Sequence, residues 1–128
     1  MNTQTAKKRI LHVDNEPDIL KVVKTILEKE GYEVVSVQGG KEALEQVKLD
    51  SFSLLILDIM MPDISGWDLF TRISKIAPAY NVVFLTVLEV SEARLKELKE
   101  AGVKDYITKP FSRDDFVRRI KTAIGDQI

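Results

Sequence analysis

The sequence predicts an α/β domain in which a parallel β-sheet is covered by helices on both faces, as a three-layer sandwich. Five short apolar runs of strand length alternate along the chain with five segments of helical periodicity. Strand-then-helix units repeated in this way form a parallel sheet, because each helix crosses one face of the sheet to reach the next strand. The 128 residues suffice for one such domain and not for two.

The predicted strands are short and rich in branched apolar residues. They are residues 9–13 (RILHV), 33–37 (EVVSV), 53–57 (SLLIL), 81–85 (NVVFL) and 104–108 (KDYIT). Three of these runs are continuous enough to be buried on both faces, which is typical of strands inside a parallel sheet. The sheet is therefore expected in the middle of the domain.

The segments between the strands are predicted helices, since their apolar residues recur at intervals of three and four. The apolar faces consist of Ile19, Val22, Val23, Ile26 and Leu27; Ala43, Leu44 and Val47; Leu69, Phe70, Ile73, Ile76 and Ala77; Leu95, Leu98 and Ala101; and Phe116, Val117, Ile120, Ala123 and Ile124. Ser65 and Ser112 precede two of these segments as candidate N-caps. Gly31 and Gly102 follow two others, where a left-handed residue would end the helix.

The composition excludes several classes of site. Acidic and basic residues nearly balance, at 20 against 19, so no overall field favours nucleic acid or an anionic membrane. The absence of cysteine excludes disulfides and thiolate metal sites. No apolar run reaches the roughly 18 residues of a membrane span, and the polar start lacks the apolar stretch of a secretory signal. We expect a flexible N-terminal arm over residues 1–8, one domain over 9–125 and a cytoplasmic location.

Polar side chains follow the predicted strands at the edge where parallel sheets bind ligands. Asp14–Glu16 follow the first strand, Asp58 the third, Thr86 the fourth and Lys109 the fifth. Clustered carboxylates repel one another unless a cation or a proton intervenes, and oxygen ligands without His or Cys suit Mg²⁺. Lys109 supplies a point charge for a phosphoryl group, and Thr86 a hydrogen-bond donor. Asp58 is then a candidate nucleophile, because carboxylates form aspartyl-phosphates.

Four segments in this order resemble the receiver domain of two-component response regulators: ILHVDNEPDIL, LLILDIMMPDISGWDL, VVFLTV and DYITKPF. The similarity covers the chain from Arg9 to about Ile124. It implies a flavodoxin-like (βα)5 fold with the strand order 2-1-3-4-5. It also implies a regulatory phosphoacceptor that takes its phosphoryl group from a histidine kinase or a phosphotransfer protein, and whose only catalysis is its own phosphorylation and dephosphorylation.

The resemblance gives the residues at the strand ends their roles. Asp58 matches the phosphoacceptor. Asp14 and Asn15 match the acidic pair that holds Mg²⁺ together with Asp58. The backbone carbonyl of Met60 would complete the protein ligands, and Glu16 is a further candidate.

The same resemblance predicts how phosphorylation is reported. Thr86 matches the hydroxyl that moves to the phosphoryl group, Lys109 the ammonium that pairs with it, and Tyr106 the aromatic ring that then turns inward. The Lys109–Pro110 bond matches a cis peptide of the family. The fourth helix, fifth strand and fifth helix would form the output face, used for a homodimer or a target. Nucleic acid would be reached only through an output domain outside this chain.

Two residues depart from the family pattern. Asn15 stands where a second aspartate is usual, and we predict weaker Mg²⁺ binding because an amide brings no charge. Val87 stands where a small residue is common after the threonine. A valine there is expected to narrow access to Asp58. Together with apolar Met60 and Leu88, which cannot orient a hydrolytic water, it predicts a long-lived phosphoryl group.

Alternative interpretations follow from the same residues. Asn15 and Val87 also fit a pseudo-receiver, an interaction module that works without phosphorylation. A flavodoxin-like carrier would need phosphate donors where DNEPD is acidic, and a phosphohydrolase of the haloacid dehalogenase type would need an aspartate at Met60. Taken alone, Asp58 could cap a turn. His12 is expected to be a packed or hydrogen-bonded strand residue.

Overall fold

The computed structural model describes residues 7–77 and 80–126. Most of the predicted N-terminal arm, residues 1–6, lies outside the described residues. The elements alternate strictly between strand and helix from Arg9 to Ile124.

The sheet has five parallel strands, which confirms the predicted fold class. The strands are β1 (Arg9–Val13), β2 (Glu33–Val37), β3 (Leu54–Leu57), β4 (Val82–Thr86) and β5 (Val103–Thr108). Their order across the sheet is β2-β1-β3-β4-β5, and every pair of neighbours is parallel. The chain therefore reverses its winding direction beside β1 and β3, and ligand sites in such sheets lie at the strand ends next to this point.

The helices cover both faces of the sheet. They are α1 (Pro17–Lys29), α2 (Gly40–Leu49), α3 (Gly66–Ile76), α4 (Glu92–Glu100) and α5 (Arg113–Ile124). Successive strand residues point to opposite faces, so Leu54 packs with α1 and α5 while Leu55 packs with α2, α3 and α4. The predicted three-layer arrangement is confirmed.

The predicted helix boundaries also hold. Ser65 and Ser112 cap α3 and α5, because each hydroxyl accepts the backbone N–H three residues later, at 3.2 Å. Gly31 and Gly102 lie just beyond α1 and α4 with φ of 93° and 103°, in the left-handed region that glycine adopts without strain. None of the described helices is long and apolar enough to cross a membrane.

One glycine fixes the loop that follows β3. The N–H of Gly66 donates to the carbonyl of Ile59 at 2.8 Å. A Cβ atom built on Gly66 would lie 2.3 Å from the carbonyl oxygen of Asp58. Only glycine lets α3 begin this close to the end of β3, and the backbone of Asp58 is held in place by that contact.

Candidate functional site

The predicted site residues lie at the carboxyl ends of β1, β3, β4 and β5. The ladder of hydrogen bonds continues one residue past each strand: the N–H of Asp14 donates to Val37 at 3.1 Å, and that of Asp58 to Val13 at 2.9 Å. The N–H of Lys109 donates to the carbonyl of Thr86 at 2.8 Å. The sheet itself thus sets the positions of these backbones, and the Lys109–Pro110 peptide bond is cis, as the resemblance implies.

The ammonium of Lys109 joins three carboxylates. Its Nζ atom lies 2.7 Å from Asp14 Oδ2, 3.1 Å from Glu16 Oε1 and 3.4 Å from Asp58 Oδ2. The lysine side chain is only 6% exposed. Lysine is almost never buried without partners, and here the three carboxylates are its partners. One positive charge faces three negative charges, so the pocket is left with an excess of negative charge that a cation would offset.

At both Asp14 and Lys109, burial and the neighbouring charges shift the pKa in opposite directions. Burial raises the pKa of the Asp14 carboxyl, and the hydrogen bond and charge of Lys109 only partly offset it. Burial lowers the pKa of Lys109, but its hydrogen bond to Asp14 and the charges of Asp14 and Asp58 outweigh the effect of burial, so the pKa lies above its ordinary value. Lys109 is therefore a permanent cation of the pocket.

The same carboxylates form a set of oxygen ligands. Asp14, Glu16 and Asp58 can each offer an oxygen within 4.8 Å of the others. Such a set fits a hard cation such as Mg²⁺, which prefers carboxylate oxygens. The side chain of Asn15 is exposed. Met60 approaches through its backbone, since its N–H donates to Asp58 Oδ1 at 3.3 Å.

Thr86 and Tyr106 meet at one backbone segment, the residue Leu88. The buried Thr86 hydroxyl accepts the N–H of Leu88 at 3.3 Å. The Tyr106 hydroxyl donates to the carbonyl of Leu88, and its ring is buried. Burial, followed by the charge of Asp58, raises the pKa of Tyr106. Both predicted switch residues are thus bonded to the backbone of the same residue, Thr86 through its N–H and Tyr106 through its carbonyl.

Apolar side chains line the rim of the pocket. Met60, Val87 and Leu88 are 58%, 56% and 36% exposed. They stand on the loops that follow β3 and β4, beside Asp58 and Thr86. The effect of Val87 on access to Asp58 stays a prediction.

His12 is the residue whose position the sequence analysis did not connect with the site. It is fully buried, and its Nε2 atom lies 3.9 Å from Asp14 Oδ2. Among the described residues, neither ring nitrogen has a hydrogen-bond partner, so the ring is packed but not bonded. Burial, and then the charge of Lys109, lower the pKa of His12 to about 3. The sequence contains one indication of this position. His12 precedes Asp14 by two residues, and strand residues two apart point to the same face of the sheet.

Comparison with protein families decides the relationship. The sequence model of one protein family, the response regulator receiver domain, matches residues 10–121. The chain belongs to this family. The transcriptional regulatory protein CrdR of Helicobacter pylori is 36% identical over 121 residues, which are 94% of this chain and 56% of that protein. The response regulator SaeR of Staphylococcus epidermidis is 37% identical over 116 residues, or 91% of this chain and 50% of that protein. The receiver domain thus spans about half the length of these curated relatives.

Solved receiver domains have the same architecture. A CheY-like receiver domain protein from Methanospirillum hungatei superposes with a TM-score of 0.84 at 33% identity, covering 94% of this chain and 95% of that one. The response regulator TrrA of Thermotoga maritima, solved in complex with Mg²⁺-BeF, gives a TM-score of 0.78 at 34% identity, with 91% and 98% covered. The resemblance noted from the sequence is therefore confirmed for the family and the fold.

Proposed function

We propose that this receiver domain accepts a phosphoryl group on Asp58, with Mg²⁺ as cofactor, from the phosphohistidine of a histidine kinase or a phosphotransfer protein. The observation that supports this most directly is the position of Lys109, whose ammonium lies within 3.4 Å of both Asp58 and Asp14. A carboxylate beside a fixed cation, at the open edge of a parallel sheet, is suited to receive a phosphoryl group. The location is proposed to be cytoplasmic.

The chemistry is an in-line transfer between two nucleophiles. A carboxylate oxygen of Asp58 attacks the phosphorus, the O–P bond forms as the P–N bond of phosphohistidine breaks, and the imidazole leaves with that electron pair. Lys109 pairs with the charge carried by the phosphoryl oxygens. Asp14 and Asp58, the carbonyl of Met60 and either Asn15 or Glu16 would hold Mg²⁺. When bound, Mg²⁺ supplies charge neutralisation at the phosphoryl oxygens.

The proposed switch uses the backbone N–H and carbonyl of Leu88. Phosphorylation adds about two charges and strong acceptor oxygens at Asp58. The Thr86 hydroxyl, which now accepts from the N–H of Leu88, would turn to donate to the phosphoryl group. The Leu88 segment would then shift, and Tyr106, bonded to its carbonyl, would follow. This shift between two states would alter the face formed by α4, β5 and α5, through which a homodimer or a target is proposed to bind.

The experiment is phosphorylation of the purified domain with acetyl phosphate and Mg²⁺, followed by intact mass measurement. We expect the parent to gain the mass of one phosphoryl group and to lose it in hydroxylamine, as an acyl phosphate does. Asp58→Asn is the matched control and is expected to gain nothing. A parent that stays unmodified while it binds Mg²⁺ would contradict the proposal.

That outcome would favour the second candidate, a pseudo-receiver that binds partners without phosphorylation. The observation that favours it is Asn15, whose exposed amide replaces a charged ligand. Nucleic acid would be contacted only through an output domain outside this chain, and the half-length coverage of the transcriptional regulators fits such an arrangement.

A further inference from the structure

His12 lies beside Asp14, one of the carboxylates of the proposed phosphorylation site. It is the fourth residue of β1, two positions before Asp14, so both side chains point to the same face of the sheet. The imidazole is completely buried, and its Nε2 atom is 3.9 Å from Asp14 Oδ2. No other nitrogen-bearing ring of the described residues approaches this carboxylate within ion-pair distance.

The ring has no hydrogen bond that would explain its presence in the core. Neither nitrogen has a partner among residues 7–77 and 80–126. On β2, Ser36 stands opposite His12 in the strand register, and its Oγ atom is likewise buried without a partner. The flanking strand residues, Leu11 and Val13, are apolar and fully buried. Because a buried polar group without a partner destabilises the fold, an apolar residue would serve packing better at this position.

The Asp14 carboxylate needs a further hydrogen-bond donor when Lys109 moves away from it. Asp14 Oδ1 accepts the N–H of Glu16 at 2.9 Å, while Oδ2 is held by Lys109 at 2.7 Å. Under the proposed function, Lys109 moves toward the phosphoryl group on Asp58. Asp14 Oδ2 then loses its donor at the stage when the carboxylate must keep its orientation as a metal ligand.

We propose that His12 is a positioning residue that donates Nε2–H to Asp14 Oδ2 when Lys109 turns to the phosphoryl group. This inference rests on the proposed function. The neutral ring, as its burial requires, needs to approach by only about 1 Å to reach the roughly 2.9 Å of an N–H···O hydrogen bond. Ser36 is the register partner of His12 on β2, and a hydrogen bond from its hydroxyl to Nδ1 would fix the tautomer that carries its proton on Nε2.

Two variants of equal length separate positioning from packing. His12→Gln keeps an N–H donor near the place of Nε2, whereas His12→Met has a similar shape and no donor. We expect His12→Met to weaken Mg²⁺ binding about tenfold, because groups that orient metal ligands have effects of this size. His12→Gln is expected to stay within a factor of about three of the parent. Calorimetric titration with Mg²⁺ in the presence of beryllium fluoride, which mimics the phosphoryl group on Asp58 and so draws Lys109 away from Asp14, measures both, and the rate of phosphorylation by acetyl phosphate is compared in parallel.

Equal Mg²⁺ affinities of the two variants would overturn the inference, whether both are weakened or neither is. The tautomer is an independent readout: ¹⁵N NMR of the parent loaded with Mg²⁺ and beryllium fluoride is expected to show the proton on Nε2, and a proton on Nδ1 would overturn the proposal. This second measurement decides even if His12→Met does not fold. A parent that binds Mg²⁺ and beryllium fluoride but is not phosphorylated by acetyl phosphate would contradict the proposed function alone, because the titration and the tautomer still test His12.

Discussion

At the scale of single residues, the pocket contains two more carboxylates than its single cation can neutralise pairwise. Lys109 contacts Asp14, Asp58 and Glu16, and Glu16 is the only one of the three carboxylates that is largely exposed, at 58%. An exposed carboxylate on a loop can reorient at little cost. Glu16 is therefore the group best placed to supply the charge that Asn15 does not bring.

Asn15→Asp is expected to strengthen Mg²⁺ binding. A unit charge at about 4 Å contributes roughly 4 kcal/mol at an effective dielectric near 20, and desolvation removes part of it. We expect about a tenfold gain in affinity by calorimetric titration. Glu16→Gln is the matched variant with the opposite expectation, since it removes a charge from the same pocket. Affinities equal to that of the parent in both variants would contradict this account of the charges.

At the scale of elements, α2 depends on a residue from a distant loop. Its N-cap, Gly39, has no side chain to cap the helix. Instead, Asp63 accepts the N–H of Gly40 at 3.2 Å and of Lys41 at 3.0 Å, and also the N–H of its neighbour Ile64 at 2.8 Å. The carboxylate thus joins the start of α2 to the loop between β3 and α3, the loop that follows Asp58.

Asp63→Ala is expected to lower the free energy of unfolding by about 1–2 kcal/mol, the usual effect of losing a helix cap. Urea unfolding measures the loss, and Asp63→Asn, which keeps one acceptor oxygen, should lose less. Desolvation raises the pKa of Asp63, but the N–H groups of Lys41, Gly40 and Ile64 outweigh it and hold the pKa below its ordinary value. The cap therefore contributes above the unfolded pKa and is lost as the pH falls through the folded one. An Ala variant as stable as the parent at neutral pH would contradict the capping role.

Helix α4, which belongs to the proposed output face, buries fewer of its residues than the other helices do. The buried residue of α4 is Leu98 alone, whereas α1 buries four residues. A contact between α3 and α4 adds to this anchor, since the guanidinium of Arg94 lies 4.8 Å from the centre of the Trp67 ring. Trp67 in turn stacks on Tyr106, with ring centroids 6.5 Å apart. Movement of Tyr106 must therefore change the surroundings of Trp67.

Trp67 is the single tryptophan of the chain, so its emission reports on this cluster without engineering. We expect its fluorescence to change on addition of acetyl phosphate and Mg²⁺, with the time course of the phosphorylated mass. Asp58→Asn should show no change beyond the effect of Mg²⁺ itself. Unchanged emission from a domain that is phosphorylated by mass would rule out the proposed path from Thr86 to Tyr106.

At the scale of the whole molecule, the sequence predicts what depends on local pattern. The predicted bounds of β1 and β2 are confirmed, because the apolar run of β1 ends at Asp14 and the valine-rich run of β2 ends at the polar Gln38, followed by two glycines. The predictions for β3 and β5 differ from the structure by one residue at the start, and the prediction for β4 is displaced by one residue at both ends. The strand ends also placed Asp14, Asp58 and Lys109 at one edge, since parallel strands deliver their carboxyl ends together.

Features that depend on the meeting of distant segments were not predicted. Asp63 caps a helix that starts 23 residues earlier in the chain, and nothing in its own neighbourhood indicates this. The missing partners of His12 depend on what β2 and β3 place beside it. The contact of Trp67 with Arg94 depends on how closely α3 and α4 approach. Each of these is a property of packing between elements, which periodicity along one element does not contain.

The buried histidine gives the whole fold a dependence on acid. Burial and the charge of Lys109 lower the pKa of His12 to about 3, against an ordinary value near 6.5 in the unfolded chain. Between these values the unfolded state binds more protons than the folded state, so stability falls as the pH drops below about 6.5. Relative to pH 7, the loss attributable to His12 is expected to be roughly 2 kcal/mol at pH 5.

Urea unfolding of the parent and of His12→Met at pH 7 and pH 5 isolates this contribution. Asp14, whose raised pKa acts with the opposite sign, is present in both proteins, as are the other carboxylates. The parent should therefore lose more stability than the variant on acidification, and the variant should be the more stable of the two at pH 5. Parallel losses in the two proteins would mean that His12 is protonated in the folded state at pH 5. The ring would then be paired with the Asp14 carboxylate as a cation, and the neutral donor inferred for the phosphorylated state would have to be replaced by an ion pair.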